Sequence, residues 1–132
     1  MKPRILPLGD SAILVRLGDE IDFGVNRRVH ALAWLLEESG LEGLVETVPA
    51  YAALLVHYDP LVLSYGTVRD LVRGKLPQVE EMVVRKPRKI RVPVRYGGEL
   101  GPDLEFVARH LNLRVEDVIR IHSGRVYTVY MM

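Results

Sequence analysis

The sequence predicts an α+β protein, and three observations predict it. Helix-like and strand-like hydrophobic patterns alternate along residues 11–77 in the order strand, helix, strand, strand, helix. With 48% hydrophobic and 27% charged residues, the chain sits in the ordinary globular range, far from the polar, highly charged class that stays unfolded. No apolar run approaches the ~20 residues of a membrane-spanning helix, and Met1-Lys2-Pro3-Arg4 precedes too short an apolar stretch for a leader peptide. A soluble, cytoplasmic protein is the expectation.

Taken in order, Ser11–Leu17 is nearly continuous in Ala12, Ile13, Leu14, Val15 and Leu17, the pattern of a mostly buried strand. Val25, Val29, Leu32, Ala33 and Leu36 then fall on one helical face, and Gly40 supplies a stop. Leu44–Val48 and Tyr51–Tyr58 read as a hairpin about Pro49-Ala50. Thr67, three residues before Asp70, predicts a helix start, and Val68, Leu71 and Val72 carry the stripe toward Pro77. One more strand near Val83 or Ile90 would complete a ferredoxin-like βαββαβ unit.

Val84–Arg88 is the best linker, dividing the chain into 1–84 and 85–132. From Lys89 basic and apolar residues alternate, with Lys89, Arg91 and Arg95 on one face and Ile90, Val92 and Val94 on the other, which predicts a half-solvated strand. Tyr96-Gly97-Gly98-Glu99-Leu100-Gly101-Pro102 is a turn-rich loop, and Pro102 suits the first position of a helix. Leu104, Val107, Ala108 and Leu111 form its stripe and Asn112 ends it. Val115, Val118, Ile119 and His122 predict a second short helix, and Arg125–Met132 a closing strand.

Chemistry is less legible. A net charge of +1 excludes a strong overall field for nucleic acid or anionic membrane, and the absence of cysteine removes disulfides, thiolate catalysis and zinc–thiolate sites. His30, His57, His110 and His122 are scattered without an i+4 partner, so no metal site is predicted. His57 and Asp59 share a strand face, an arrangement for a proton relay or an ordinary strand end. The glycine loop before a helix suits anion binding, or simply a tight turn, and Asp103 suits the helix dipole better than acid–base work. His122-Ser123 is either an acid–base and hydroxyl pair or a plain helix terminus. The basic run Arg85–Arg95 is either a contact for nucleotide phosphates or an acidic partner, or a solvated face.

Several stretches in order resemble one family: Gly9-Asp10-Ser11-Ala12, Val48-Pro49-Ala50-Tyr51 leading into Leu54-Leu55-Val56-His57-Tyr58-Asp59-Pro60, and Tyr96–Leu104. Val118-Ile119-Arg120-Ile121-His122-Ser123 and Val126–Met131 continue the match. The chain resembles the group of 5-oxoprolinase B-type subunits, also labelled Kip inhibitor or allophanate hydrolase subunit 1. That resemblance implies a ferredoxin-like domain followed by the start of a cyclophilin-like β-barrel whose later strands lie beyond this sequence, so a truncated piece, inactive alone, is expected. It implies ATP-dependent opening of the 5-oxoproline lactam by A-type, B-type and C-type subunits together, with ATP acting at the level of the complex. The group's other role is inhibition of a sensor histidine kinase, and allophanate hydrolysis is a weaker third. By family position Tyr96, Gly97, Gly98, Asp103, His122, Ser123 and Tyr127 are ligand-binding candidates without assigned catalytic roles. The glycine loop and the His122 helix end are expected to approach one another and line a cleft. Arg114 stands where relatives tend to have a small capping residue, which predicts a poorly started helix.

Overall fold

A computed structural model describes residues 2–80, 82 and 88–131. The chain divides into two compact units, residues 1–86 with 129–132, and residues 87–128. The first holds strand β1 (Arg4–Pro7), strand β2 (Ala12–Arg16), helix α1 (Phe23–Glu37), strands β3 (Leu44–Pro49) and β4 (Ala53–Tyr58), and helix α2 (Tyr65–Val79). The four strands form one antiparallel sheet in the order β1-β2-β4-β3. Because β4 runs antiparallel to both β2 and β3, those two are parallel, and α1 joins them as a split βαβ unit.

Register follows from which side chains must be dry. Ile13 pairs with Val56 and Val15 with Leu54, and all four are fully buried. Val29, Leu32 and Leu36 of α1 and Val68 and Val72 of α2 complete this core. The intervening residues Leu6, Leu14, Leu55 and Val48 lie in direct register across all four strands, on the opposite side of the pleat.

Local chemistry explains the helix ends. Asp22 caps α1 by accepting from the Val25 amide at 2.8 Å, and Gly40 at φ +57 ends the turn that follows. In α2 the cap is Ser64, whose hydroxyl accepts from the Thr67 amide at 3.1 Å, so the helix begins before the expected Thr67 start. It also continues through Pro77, close enough to the last turn that the missing amide affects one bond near a terminus.

Asn26 is buried on the core side of α1, although polar. Its amide nitrogen donates to the carbonyls of Ala50 at 3.2 Å and Tyr130 at 3.0 Å, and reaches that of Tyr51 at 3.4 Å. Asn26→Ala removes the donor while leaving those carbonyls in place. The expected result is a loss of about 1–3 kcal/mol, read as a lower denaturant midpoint with an unchanged slope.

Three strand expectations need correction. The strand beside β2 on its outer edge is β1, which precedes it in sequence. Pro3 and Pro7 hide it, yet proline is tolerated on an edge that need not donate. No strand forms at Ile90, while Val83 lies outside the described residues, as does the linker Val84–Arg88 apart from Arg88. Lys89–Arg95 and Arg125–Met131 are not strands either. Alternation fixes which face a strand would bury, but a strand also needs a neighbouring ladder, and neither segment has one among the described residues. No helix among the described residues is long and apolar enough to cross a membrane.

The second unit contains a short 3-10 turn (Gly98–Leu100), helix α3 (Leu104–His110) and helix α4 (Val115–Ser123). Pro102 precedes α3 rather than opening it, because Asp103 takes the cap position. Asn112, at φ +54, ends α3 with the Leu113 amide donating to the Ala108 carbonyl at 2.9 Å. Among the described residues of this unit Ala108 alone is a buried hydrophobic, whereas Ile90, Val92, Val94, Val126 and Tyr127 are exposed.

Candidate functional site

Among the seven candidate residues, the second unit gathers three aromatic side chains. Tyr96, at the head of the glycine loop, places its hydroxyl 2.6 Å from His122 Nδ1 near the end of α4. Their rings meet edge to face with centroids 5.7 Å apart. Tyr127 lies across the same imidazole at 5.5 Å and donates its hydroxyl to the His122 carbonyl at 3.2 Å. The loop's head and the His122 end of α4 therefore do meet.

The remaining candidates have structural explanations. Gly97 and Gly98 adopt φ +75 and +61, conformations that glycine supports without strain. A Cβ on Gly101 would stand 2.7 Å from the Gly97 nitrogen, so the loop closes tightly on itself. Ser123 donates its hydroxyl to the Ile119 carbonyl at 2.7 Å, the local bond of a plain helix terminus. Asp103 is exposed and makes no side-chain cap bond. In the first unit, Asp59 accepts from the Leu61 amide at 2.9 Å and so stabilises a turn, the plain alternative to a relay with His57.

The helix carrying His122 is braced by charge. Arg114 at its N-cap position supplies no capping acceptor, but its guanidinium donates to Asp117 at 3.0 Å, and Arg120 donates to the same carboxylate at 3.0 Å. Hydrogen bonding from Arg114, then from Arg120, holds the Asp117 carboxyl below the usual carboxylate range. A depressed folded-state value means the bracing is fully present above the unfolded value of about 3.9 and is lost as pH falls through the folded one. Helical chemical shifts of α4 should show that acid step, and Asp117→Asn should abolish it. Sequence reading missed this bracing, although the i, i+3 spacing of Arg114, Asp117 and Arg120 was a visible signal.

Among the described residues no group of three His, Asp or Glu side chains is placed to hold a metal ion. Two shallow grooves lie in the first unit, one along Glu37–Thr47 and one between Asp22 and Glu80, and no candidate residue lines either.

The chain is a mixed α/β protein with a four-stranded antiparallel sheet. Residues 3–132 match the carboxyltransferase domain, subdomain C and D, and the chain belongs to that family. Within it, the chain is 40% identical over 139 residues to the B subunit of the 5-oxoprolinase of Bacillus subtilis, covering 98% of this chain and 58% of that protein. It thus spans less than two thirds of that relative's length. A conserved uncharacterised protein of Pyrococcus horikoshii, solved by crystallography, is 46% identical with a TM-score of 0.53, over 96% of this chain and 57% of that one. The N-terminal domain of the histidine kinase inhibitor KipI of Bacillus subtilis is 34% identical with a TM-score of 0.50, covering 61% of this chain and 89% of that domain.

Proposed function

We propose that this chain is part of the B-type component of a multi-subunit, ATP-dependent 5-oxoprolinase that opens the lactam of 5-oxoproline to glutamate. The observation that carries this reading is the 40% identity, along nearly the whole chain, to a protein named as the B subunit of a 5-oxoprolinase. In this reading the first unit is ferredoxin-like, which its split βαβ unit supports. The second is the start of a cyclophilin-like barrel, which the sequence resemblance alone supports. Homologues of the A-type and C-type 5-oxoprolinase subunits are the partners, and the chain is inactive by itself in the cytoplasm.

ATP is a co-substrate of the complex here. No residue of this chain is assigned to it: the glycine loop closes on itself at Gly101, where an added Cβ would stand 2.7 Å from the Gly97 nitrogen. What the chain contributes in this reading is the Tyr96–His122–Tyr127 junction, a polar group flanked by aromatic rings, and Gly97, Gly98, Asp103 and Ser123 are the further ligand-binding candidates.

The test is reconstitution. The chain should copurify with the A-type and C-type homologues and support ATP hydrolysis that depends on 5-oxoproline, with none when it is assayed alone. Failure to associate, or turnover that ignores 5-oxoproline, would defeat this reading. A second reading, inhibition of a sensor histidine kinase, is favoured by the likeness to the KipI N-terminal domain. It requires lowered kinase autophosphorylation without either partner. Allophanate hydrolysis, the third reading, would show as ammonia release from allophanate.

A further inference from the structure

We propose that His122 is a substrate-facing hydrogen-bond donor, presented through Nε2–H, and that Tyr96 is the positioning residue that fixes this tautomer. The inference rests on the 5-oxoprolinase reading and names the group that would meet the lactam carbonyl oxygen.

A neutral imidazole carries one proton, so whichever partner one nitrogen takes decides what the other offers. At 2.6 Å, Tyr96 Oη and His122 Nδ1 share a single proton. A phenol is a good donor and its oxygen a weak acceptor, because its lone pair is delocalised into the ring. The imidazole's sp2 nitrogen is the stronger acceptor. The phenol therefore donates to Nδ1, and the imidazole proton resides on Nε2.

That leaves the Nε2–H free of any side-chain partner among the described residues. His122 is exposed, and no other side chain hydrogen-bonds its ring among the described residues. Its orientation is fixed from two further directions. Tyr96 stands edge-on to the imidazole, and Tyr127 lies tilted across it at 43° while anchoring its own hydroxyl on the His122 backbone. Three constraints on one exposed ring exceed what a helix terminus needs. They hold a donor of fixed direction beside two aromatic walls, which suits a small, flat ligand with a carbonyl or carboxylate oxygen. Where charge develops on such an oxygen, a pre-aimed donor is worth far more than one that must reorient. An acyl oxygen on a compact ring is the ligand class, and 5-oxoproline is the probe.

Two measurements test this. Ring nitrogen-15 spectra of the chain should show His122 with a proton on Nε2, and Tyr96→Phe should convert it to a tautomer mixture. A simple packing role for Tyr96 would leave the tautomer unchanged in Tyr96→Phe, since the ring is retained. In the reconstituted complex, His122→Ala should lower kcat for 5-oxoproline-dependent ATP hydrolysis on the order of 100-fold. His122→Gln, which keeps an N–H near the Nε2 position, should recover part of that loss. Copurification of each variant with the partner subunits separates loss of chemistry from loss of folding.

An Nδ1–H tautomer in the wild-type chain overturns the proposal, as does a kcat within twofold of wild type for an assembled His122→Ala complex. Either result leaves the oxoprolinase reading intact. A wild-type complex that assembles and does not turn over 5-oxoproline defeats that reading instead, and the proposal with it.

Discussion

Leu54→Ala should lower the free energy of unfolding by about 2–5 kcal/mol, the range for deleting a large aliphatic side chain from a packed core. Leu54 is fully buried in β4, the second of the sheet's two central strands, with Val15 opposite it on β2 and Pro49 on β3. Its side chain faces the layer filled by α1 and α2, so truncation leaves a void bounded by three elements that cannot all close on it. Chemical denaturation should show a lower midpoint with an unchanged slope. Leu61→Ala is the control: that residue is 95% exposed, and its truncation should change stability by less than about 0.5 kcal/mol. Equal effects from the two substitutions would contradict the assignment of the core.

Gly43→Ala is expected to be about as damaging, by a different route. Gly43 sits at φ +90, where a side chain is strained, and an added Cβ would stand 2.8 Å from a Val62 methyl carbon and 2.9 Å from Leu63 Cγ. Its carbonyl also accepts from the Asp59 amide at 2.8 Å, tying the start of β3 to the turn after β4. The backbone term is about 1–3 kcal/mol, and overpacking against Val62 and Leu63 adds a similar amount. Gly74→Ala in α2 provides the contrast, since nothing lies within 4 Å of its added Cβ and it should stabilise the helix by about 0.5–1 kcal/mol. A destabilised Gly74→Ala and an unaffected Gly43→Ala would reverse the account.

Much of the first unit was legible in the sequence because its signals are local. The stripe Val29, Leu32, Ala33 and Leu36 specifies α1 without reference to any partner, and the apolar run from Ala12 specifies β2. What failed was non-local or concealed. β1 is short and bounded by prolines, so nothing in its own residues announces that Leu6 will find Leu14. The basic-apolar alternation of Lys89–Arg95 looks like a strand, yet alternation contains no information about whether a neighbour is there to pair with. Asn26 shows a third kind of gap. Its place among the apolar positions of α1 is visible, but the carbonyls it serves come from the β3–β4 turn and from Tyr130.

The candidate site divides in the same way. The loop's glycines and the helix before Gly124 are readable from composition, and the meeting of Tyr96 with His122 was anticipated as an approach of two termini. That Ser123 would turn back to Ile119 was not, because a hydroxyl late in a helix always has a carbonyl one turn earlier within reach. Only coordinates decide between that local bond and a more distant base.

The sheet's strand order also dictates a sequence of events in time. The hairpins β1–β2 and β3–β4 each need only a short turn, but the seam between them joins residues as distant as Ala12 and His57, with α1 and all of β3 in between. Closing that seam sacrifices the most chain entropy before any contact rewards it, so it should set the refolding rate. Once it zips, the edge strand β1 can join at little further entropic expense, and changes to β1 should quicken unfolding while leaving refolding speed almost untouched.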